Sequence, residues 1–306
     1  MRIAVAATPA VAIPTLDALL ASEHELVSVI TKADAPAGRG RTLHSSPVSD
    51  WAGTNKVKVF KPESKEDLGE LVKGLDLVVT IGYGLLIPAE ILKTPRHGFI
   101  NLHFSLLPAW RGAAPVQRAI ENGDDHLGIT VFALDAGMDT GPIYRQASFR
   151  MEHQMRSKEA LEFLGEKGVE LIAQALEDIS QKIAPIAQSS DGISHAKKLS
   201  KEEALINWLL PVEKVDRKIA AFYPNPIAYT NFRNEVLKII RSDVCSDFQS
   251  EKTLAPGELL IEKDRVLIGT GSNPLEVVQL IPQGKSEMKA SDWARGARIN
   301  PGERCG

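Results

Sequence analysis

Cysteine is nearly absent from this 306-residue sequence. Its two cysteines, Cys245 and Cys305, lie far apart, which excludes a disulfide framework and a cysteine-rich zinc site. So few thiols suit a reducing, cytoplasmic setting. Long uncharged apolar runs are missing as well, and mean hydropathy is -0.10, which excludes a membrane-spanning helix. Neither sign of charge dominates: 36 Lys and Arg stand against 39 Asp and Glu, for a net charge of -3. A strongly basic chain that coats nucleic acid is thereby excluded, although local contacts to an RNA are not. There is no internal repeat and no low-complexity tract. The first strand ends in Ala6-Ala7-Thr8-Pro9 without a glycine, against a dinucleotide fingerprint at that turn. Gly38-Arg39-Gly40-Arg41 has neither the P-loop nor the Rossmann spacing.

What is present is a strand–helix alternation. The short apolar run after Met1-Arg2 is cut by Pro9, so it reads as a first buried strand, Arg2–Ala7, and not as a signal peptide. Val11–Ala21 carries a helical stripe. Further strands read at Glu25–Thr31, Val57–Phe60, Asp76–Ile81 and Gly98–Phe104, with helical stretches between them. Runs as apolar as Leu77-Val78-Val79-Thr80-Ile81 suit a sheet covered on both faces, and the alternation predicts a mostly parallel, Rossmann-like α/β sheet. Leu127–Leu134 and Ile143–Arg150 follow one another too closely for a parallel crossover and read as a hairpin. A long helix is expected over Arg156–Gln181.

The pattern then changes. Residues 182–204 are polar and read as a linker. After one more helix, Val212–Ala221, five short strands separated by turn residues predict a small β-barrel of the oligonucleotide-binding type. The expected organisation is therefore a first domain over 1–181, a linker over 182–204 and a second domain over 205–306. Cys305 is expected to sit in a frayed tail.

Candidate chemistry concentrates at one strand end. Asn101 and His103 are two apart in a strand, so they share a face, opposite Ile100, Leu102 and Phe104. They stand at the carboxyl end of a central strand, where open α/β sheets bind ligands. A lone strand-end histidine is usually structural; the asparagine beside it shifts the reading toward chemistry. The loop Ser105-Leu106-Leu107-Pro108-Ala109-Trp110-Arg111-Gly112-Ala113-Ala114-Pro115 offers apolar side chains for a flat ring and a proline suited to the first turn of a helix. Asp135-Ala136-Gly137-Met138-Asp139-Thr140-Gly141 is a turn by composition. A carboxylate brought from it to His103 raises the imidazole pKa and fixes its tautomer. No metal-ligand spacing is present among the seven scattered histidines.

Asn101-Leu102-His103, then Ser105-Leu106-Leu107-Pro108 and, about thirty residues on, Asp135 to Gly141 resemble the folate-dependent formyltransferase family. The Arg39 loop, Trp110 to Pro115, Lys198 to Ala204 and the separate β-domain narrow the likeness to members that act on an aminoacylated tRNA, over essentially the whole chain. The resemblance implies transfer of a formyl group from 10-formyltetrahydrofolate to the α-amine of methionine on initiator tRNA, without a metal. By motif position His103 is the acid/base residue, Asn101 binds the formyl oxygen and Asp139 holds the imidazole. Ser105, Leu106, Leu107 and Pro108 lie against the folate. Arg39 and Arg41 approach the acceptor end, and the second domain holds the tRNA body. No obligate protein partner is implied.

From residue 201 onward fifteen Lys and Arg balance fifteen Asp and Glu. RNA affinity there would come from local groups such as Lys285, Lys289, Arg295 and Arg298, and would fall steeply with salt. Three alternatives stay open at this point: a formyltransferase acting on a small amine such as a nucleotide sugar, a hydrolase that releases formate from the same folate, and a non-catalytic tRNA-binding protein.

Overall fold

The computed structural model describes residues 1–37, 42–151, 155–245 and 254–306. They form two compact units. The first comprises Met1–Pro115, His126–Arg150 and Leu161–Ala196; the second comprises Val116–Asp125, Met151–Ala160 and Lys197–Gly306. The division is not a single cut in the sequence: two segments from within residues 1–181 pack with the second unit.

The first unit is built on seven strands: β1 (Arg2–Ala7), β2 (Glu25–Ile30), β3 (Val59–Phe60), β4 (Leu77–Ile81), β5 (Phe99–His103), β6 (His126–Ala133) and β7 (Ile143–Arg150). Their order is β7-β6-β5-β4-β1-β2-β3. Strands β1 to β5 are parallel, and β6 and β7 add the expected antiparallel hairpin. Residues Ile3 to Ala7 and every residue of β4 are buried, as a sheet covered on both faces requires. Helices α1 (Ile13–Leu20), α2 (Pro47–Asn55), α3 (Lys65–Leu71) and α4 (Ala89–Leu92) fall between the strands. Helices α2 and α3 start at side-chain caps. Ser46 accepts the Ser49 N–H ahead of Pro47, and Ser64 forms a capping box with Asp67. Helix α5 (Pro115–Asn122) begins at the proline that the sequence places there, and α6 spans Ser157–Ser180. The stretch after α6 makes backbone bonds inside the first unit: Ile186 and Ile143 exchange both hydrogen bonds, and Ala196 O accepts from Ala113 and Ala114.

The second unit carries helix α7 (Val212–Phe222) and an antiparallel sheet of β8 (Tyr229–Phe232), β9 (Glu235–Val244), β10 (Leu259–Glu262), β11 (Arg265–Ile268), β12 (Leu275–Pro282) and the short β13 (Met288–Lys289). The main path is β8-β9-β12-β11-β10, with β13 on β12. An eighth helix, α8 (Ala290–Ala297), follows. Its Trp293 ring meets Phe232 edge-on at 5.2 Å. This helix escapes a reading by propensity because it is short and contains Gly296.

The tail is not frayed. Leu259 N–H donates to Glu303 O, Cys305 N–H to Gly257 O, and Gly306 N–H to Asn231 O. Residues 303–306 thus connect β10 at one edge of the sheet with β8 at the other. Arg233 clamps Glu303 with two hydrogen bonds of 2.8 and 2.7 Å. Gly257 permits the approach: at φ +80° its Cβ would stand 2.3 Å from Cys305 O. Burial pushes the Cys305 thiol up to about 12. Composition gave no hint of this, because the contacts are made by main chain. Among the described residues no helix is long and apolar enough to cross a membrane.

Candidate active site

The site forms along β5 because two polar residues interrupt an otherwise apolar strand. Asn101 is half-buried and His103 is 5% exposed. Both line a cavity of about 450 Å³ in the first unit, the size of a small-molecule site. Its walls include Tyr83, Leu85, Leu86, Leu134 and Met138. Leu86 is 85% exposed and Met138 67%, so large apolar side chains stand uncovered at this cavity.

His103 is held at both ring nitrogens. Nε2 lies 2.9 Å from Trp110 O. A carbonyl can only accept, so Nε2 carries the proton and Nδ1 is the basic nitrogen of the neutral ring. Nδ1 faces Asp139 Oδ2 at 3.8 Å. The same carboxylate oxygen accepts the Gly112 N–H at 2.7 Å. The Phe132 ring meets the imidazole edge-on at 6.3 Å. Burial lowers the His103 pKa from its ordinary value; Asp139 and the Trp110 carbonyl pull the other way. The ring is therefore neutral at physiological pH and able to accept a proton, and its cationic form meets a carboxylate once made.

Asp139 arrives by a route that spacing does not show. Strand β6 runs antiparallel to β5, so its end lies beside the start of β5: Leu134 N–H donates to Phe99 O. The 135–141 loop then reaches along β5 to His103. Asp139 takes a left-handed backbone, φ +54°, and Trp110 does too, φ +60°. Such conformations in residues other than glycine cost of order 1–3 kcal/mol each and persist where surroundings over-determine them. Both residues touch the imidazole. Gly112, at φ +122°, is required by a close approach: a Cβ there would lie 2.7 Å from Ala196 O.

Asn101, His103 and Asp139 are thus brought together. Ser105, Leu106, Leu107 and Pro108 are not among the residues lining the cavity. Ser105 Oγ donates to Ala109 O at 2.6 Å, Leu106 packs against Gly128, and Leu107 is buried. Thr130 Oγ1 accepts the Leu107 N–H and donates to Ser105 O, while Gln146 Nε2 donates to Leu107 O and to Thr130 Oγ1. This loop is fixed through its main chain, and the Leu107–Pro108 peptide within it is cis. Arg39 and Arg41 lie outside the described residues. In the second unit Arg295 is ion-paired with Asp292 and Asp264.

Sequence reasoning missed Tyr83, whose Oη is buried with no hydrogen-bond partner among the described residues. It also missed Gln188, whose carboxamide bonds the Asp139 loop. A buried tyrosine in an apolar stretch reads as core, and one glutamine in a polar stretch carries no signal at all.

The formyl transferase family model matches residues 1–176, and the formyl transferase C-terminal domain model matches residues 198–298. A methionyl-tRNA formyltransferase from Salinispora tropica is 45% identical over 310 residues, covering 99% of both chains. One from Thermobifida fusca is 44% identical over 313 residues, covering 100% of this chain and 99% of its own. Among solved structures, HypX from Aquifex aeolicus in complex with tetrahydrofolic acid matches 96% of this chain and 47% of its own, with a TM-score of 0.69 at 19% identity. With both domain models in order and full-length relatives of one name, this chain belongs to the methionyl-tRNA formyltransferases of the formyl transferase family.

Proposed function

We propose that this protein transfers a formyl group from 10-formyltetrahydrofolate to the α-amine of methionyl initiator tRNA, in the cytoplasm. The observation that carries the chemistry is His103, buried in the wall of a small-molecule cavity, with one nitrogen fixed by a carbonyl and the other facing a carboxylate. The acceptor follows from relatives that are 41–45% identical over nearly the whole chain and share that name. Those relatives leave a small-amine formyltransferase and a formyltetrahydrofolate hydrolase as the less favoured readings.

The cavity residues fit a reduced folate. Leu85, Leu86, Leu134 and Met138 offer apolar surface to a flat ring. Ser105, Leu106, Leu107 and Pro108 support the pocket through the loop backbone. When bound, the folate supplies a formyl group on a nitrogen that can depart as an amine. Asn101 offers its amide N–H to the negative charge that develops on the formyl oxygen; removing one such donor typically costs about 10²–10³ in rate. His103 takes the proton that the attacking amine must lose, at Nδ1, and returns it to the folate nitrogen as the bond between that nitrogen and the formyl carbon breaks. Asp139 stabilises the imidazolium so formed, and the Trp110 carbonyl keeps the ring from turning. Arg39 and Arg41 approach the tRNA acceptor end, and the second unit holds the tRNA body.

The test is formyl transfer from 10-formyltetrahydrofolate to methionyl initiator tRNA, to free methionine and with no acceptor, for wild type and His103→Ala. Transfer to the tRNA alone, lost in the variant, is expected. Folate turnover without an acceptor would overturn the reading in favour of a hydrolase.

A further inference from the structure

The segment after α6 does more than lead away from the first unit. Gln188 sits between two anchor points, the Ile186–Ile143 backbone pair and Ser194, whose Oγ accepts the Trp110 N–H at 2.9 Å. Its carboxamide makes three hydrogen bonds. Nε2 donates to Asp139 O at 2.9 Å and to Gly141 O at 2.8 Å. Oε1 accepts from the Arg111 guanidinium at 2.6 Å. One side chain therefore ties the 135–141 loop to the 110–112 segment.

These are the two segments that grip His103. One delivers the Asp139 carboxylate to Nδ1 and the other delivers the Trp110 carbonyl to Nε2. They also meet directly, where Gly112 N–H donates to Asp139 Oδ2. Asp139 itself is held left-handed, a conformation that relaxes unless its neighbours fix it. The two donations from Gln188 go to the carbonyl of Asp139 and to the carbonyl two residues on, so they bear on that strained turn.

We propose that Gln188 is a positioning residue for formyl transfer: its carboxamide locks the Asp139 loop to the Trp110–Gly112 segment and so sets where the carboxylate stands relative to the imidazole. This inference rests on the reading that His103 moves the proton. Asp139 faces the ring at Nδ1, Asp135 shares the cavity wall and Arg111 is engaged by Gln188; the Phe132 ring and the Trp110 carbonyl are uncharged neighbours.

Two variants test it. Gln188→Met keeps the length and removes every polar contact. Gln188→Glu keeps the acceptor for Arg111 and loses both donations to the loop. Gln188 is only half-buried, so both should fold, as circular dichroism and melting temperature would verify. Misplacing a catalytic group by about 1 Å costs up to about 10²-fold. Both variants should lower kcat about 10–100-fold, with KM for methionyl-tRNA changed less than about 3-fold. In Gln188→Met without ligands, the His103 ring resonances should titrate at lower pH than in wild type, because the carboxylate that favours the charged ring has withdrawn while burial persists. A merely structural glutamine would leave that titration unmoved.

Three results would overturn the proposal: kcat within about 3-fold of wild type in either folded variant, a kcat loss with the His103 titration unchanged, or a loss that only tracks a fallen melting temperature. A fully active His103→Ala would instead overturn the reading beneath it, and the two failures are distinguishable.

Discussion

The two units bury their sheets differently, and the difference locates the chemistry. In the first, β4 is buried at all five positions and β5 at four of five. With both faces covered, a polar side chain in such a strand is an exception that must be bonded or used. Thr80 and Thr130 are bonded; Asn101 and His103 line the cavity. In the second unit β9 mixes buried and exposed positions and carries Glu235, Lys238, Arg241 and Asp243. Charge is ordinary on an open antiparallel face, so a basic residue there says little by itself. Arg295 shows the point, being paired with two carboxylates.

The sharpest way to break this comparison is His103→Ala. If the polar pair of β5 carries the reaction, kcat for methionyl-tRNA falls about 10²–10⁴-fold in a folded protein, as steady-state assays would show. Next is the second unit's own core. Phe222 is fully buried, and Phe222→Ala should cost about 3–5 kcal/mol of stability in denaturant titrations.

Asp139→Asn should lower kcat about 10–100-fold, a smaller loss than that of the proton carrier itself. Its pH profile carries a sign. Wild-type His103 titrates below its ordinary value because burial outweighs Asp139, so activity falls only as pH drops below about 6.5. Without the carboxylate the acid limb moves to still lower pH while the plateau falls. The same depressed imidazole makes wild-type stability decline as pH falls from about 6.5 toward the folded value, since the unfolded chain binds the proton more readily there. The smallest effect belongs to Arg295→Ala. Arg295 is exposed, and its removal should change stability by less than about 1 kcal/mol. A larger loss in a melt would show that the second unit's surface pairs carry more than the comparison allows.

The sequence makes the sheet legible because buried parallel strands leave unbroken apolar runs, and Asn101 and His103 stand out by breaking one with period two. The hairpin follows from the short gap before Ile143. What stayed hidden is set by backbone geometry. The direction of β6, which sends the Asp139 loop along β5, is not written in its composition. Neither is the left-handed backbone of Asp139 and Trp110, a region uncommon outside glycine that Asp enters more readily than Trp. Tyr83 reads as core, and Gln188 reads as linker, because their roles depend on carbonyls and cavities that only the folded chain supplies. The docked tail was missed for the same reason.

That tail has a consequence for how copies of the protein behave in company. An antiparallel sheet left open would present two rows of unpaired amides and carbonyls, a template for strands of neighbouring molecules. Here Glu303 and Cys305 engage residues 257–259 on one side and Gly306 engages Asn231 on the other, while Ala204 and Ile206 bond Tyr229 along the flank of β8. Four residues act as a selvedge along a woven border, and their removal is expected to open both edges to the strands of neighbouring molecules.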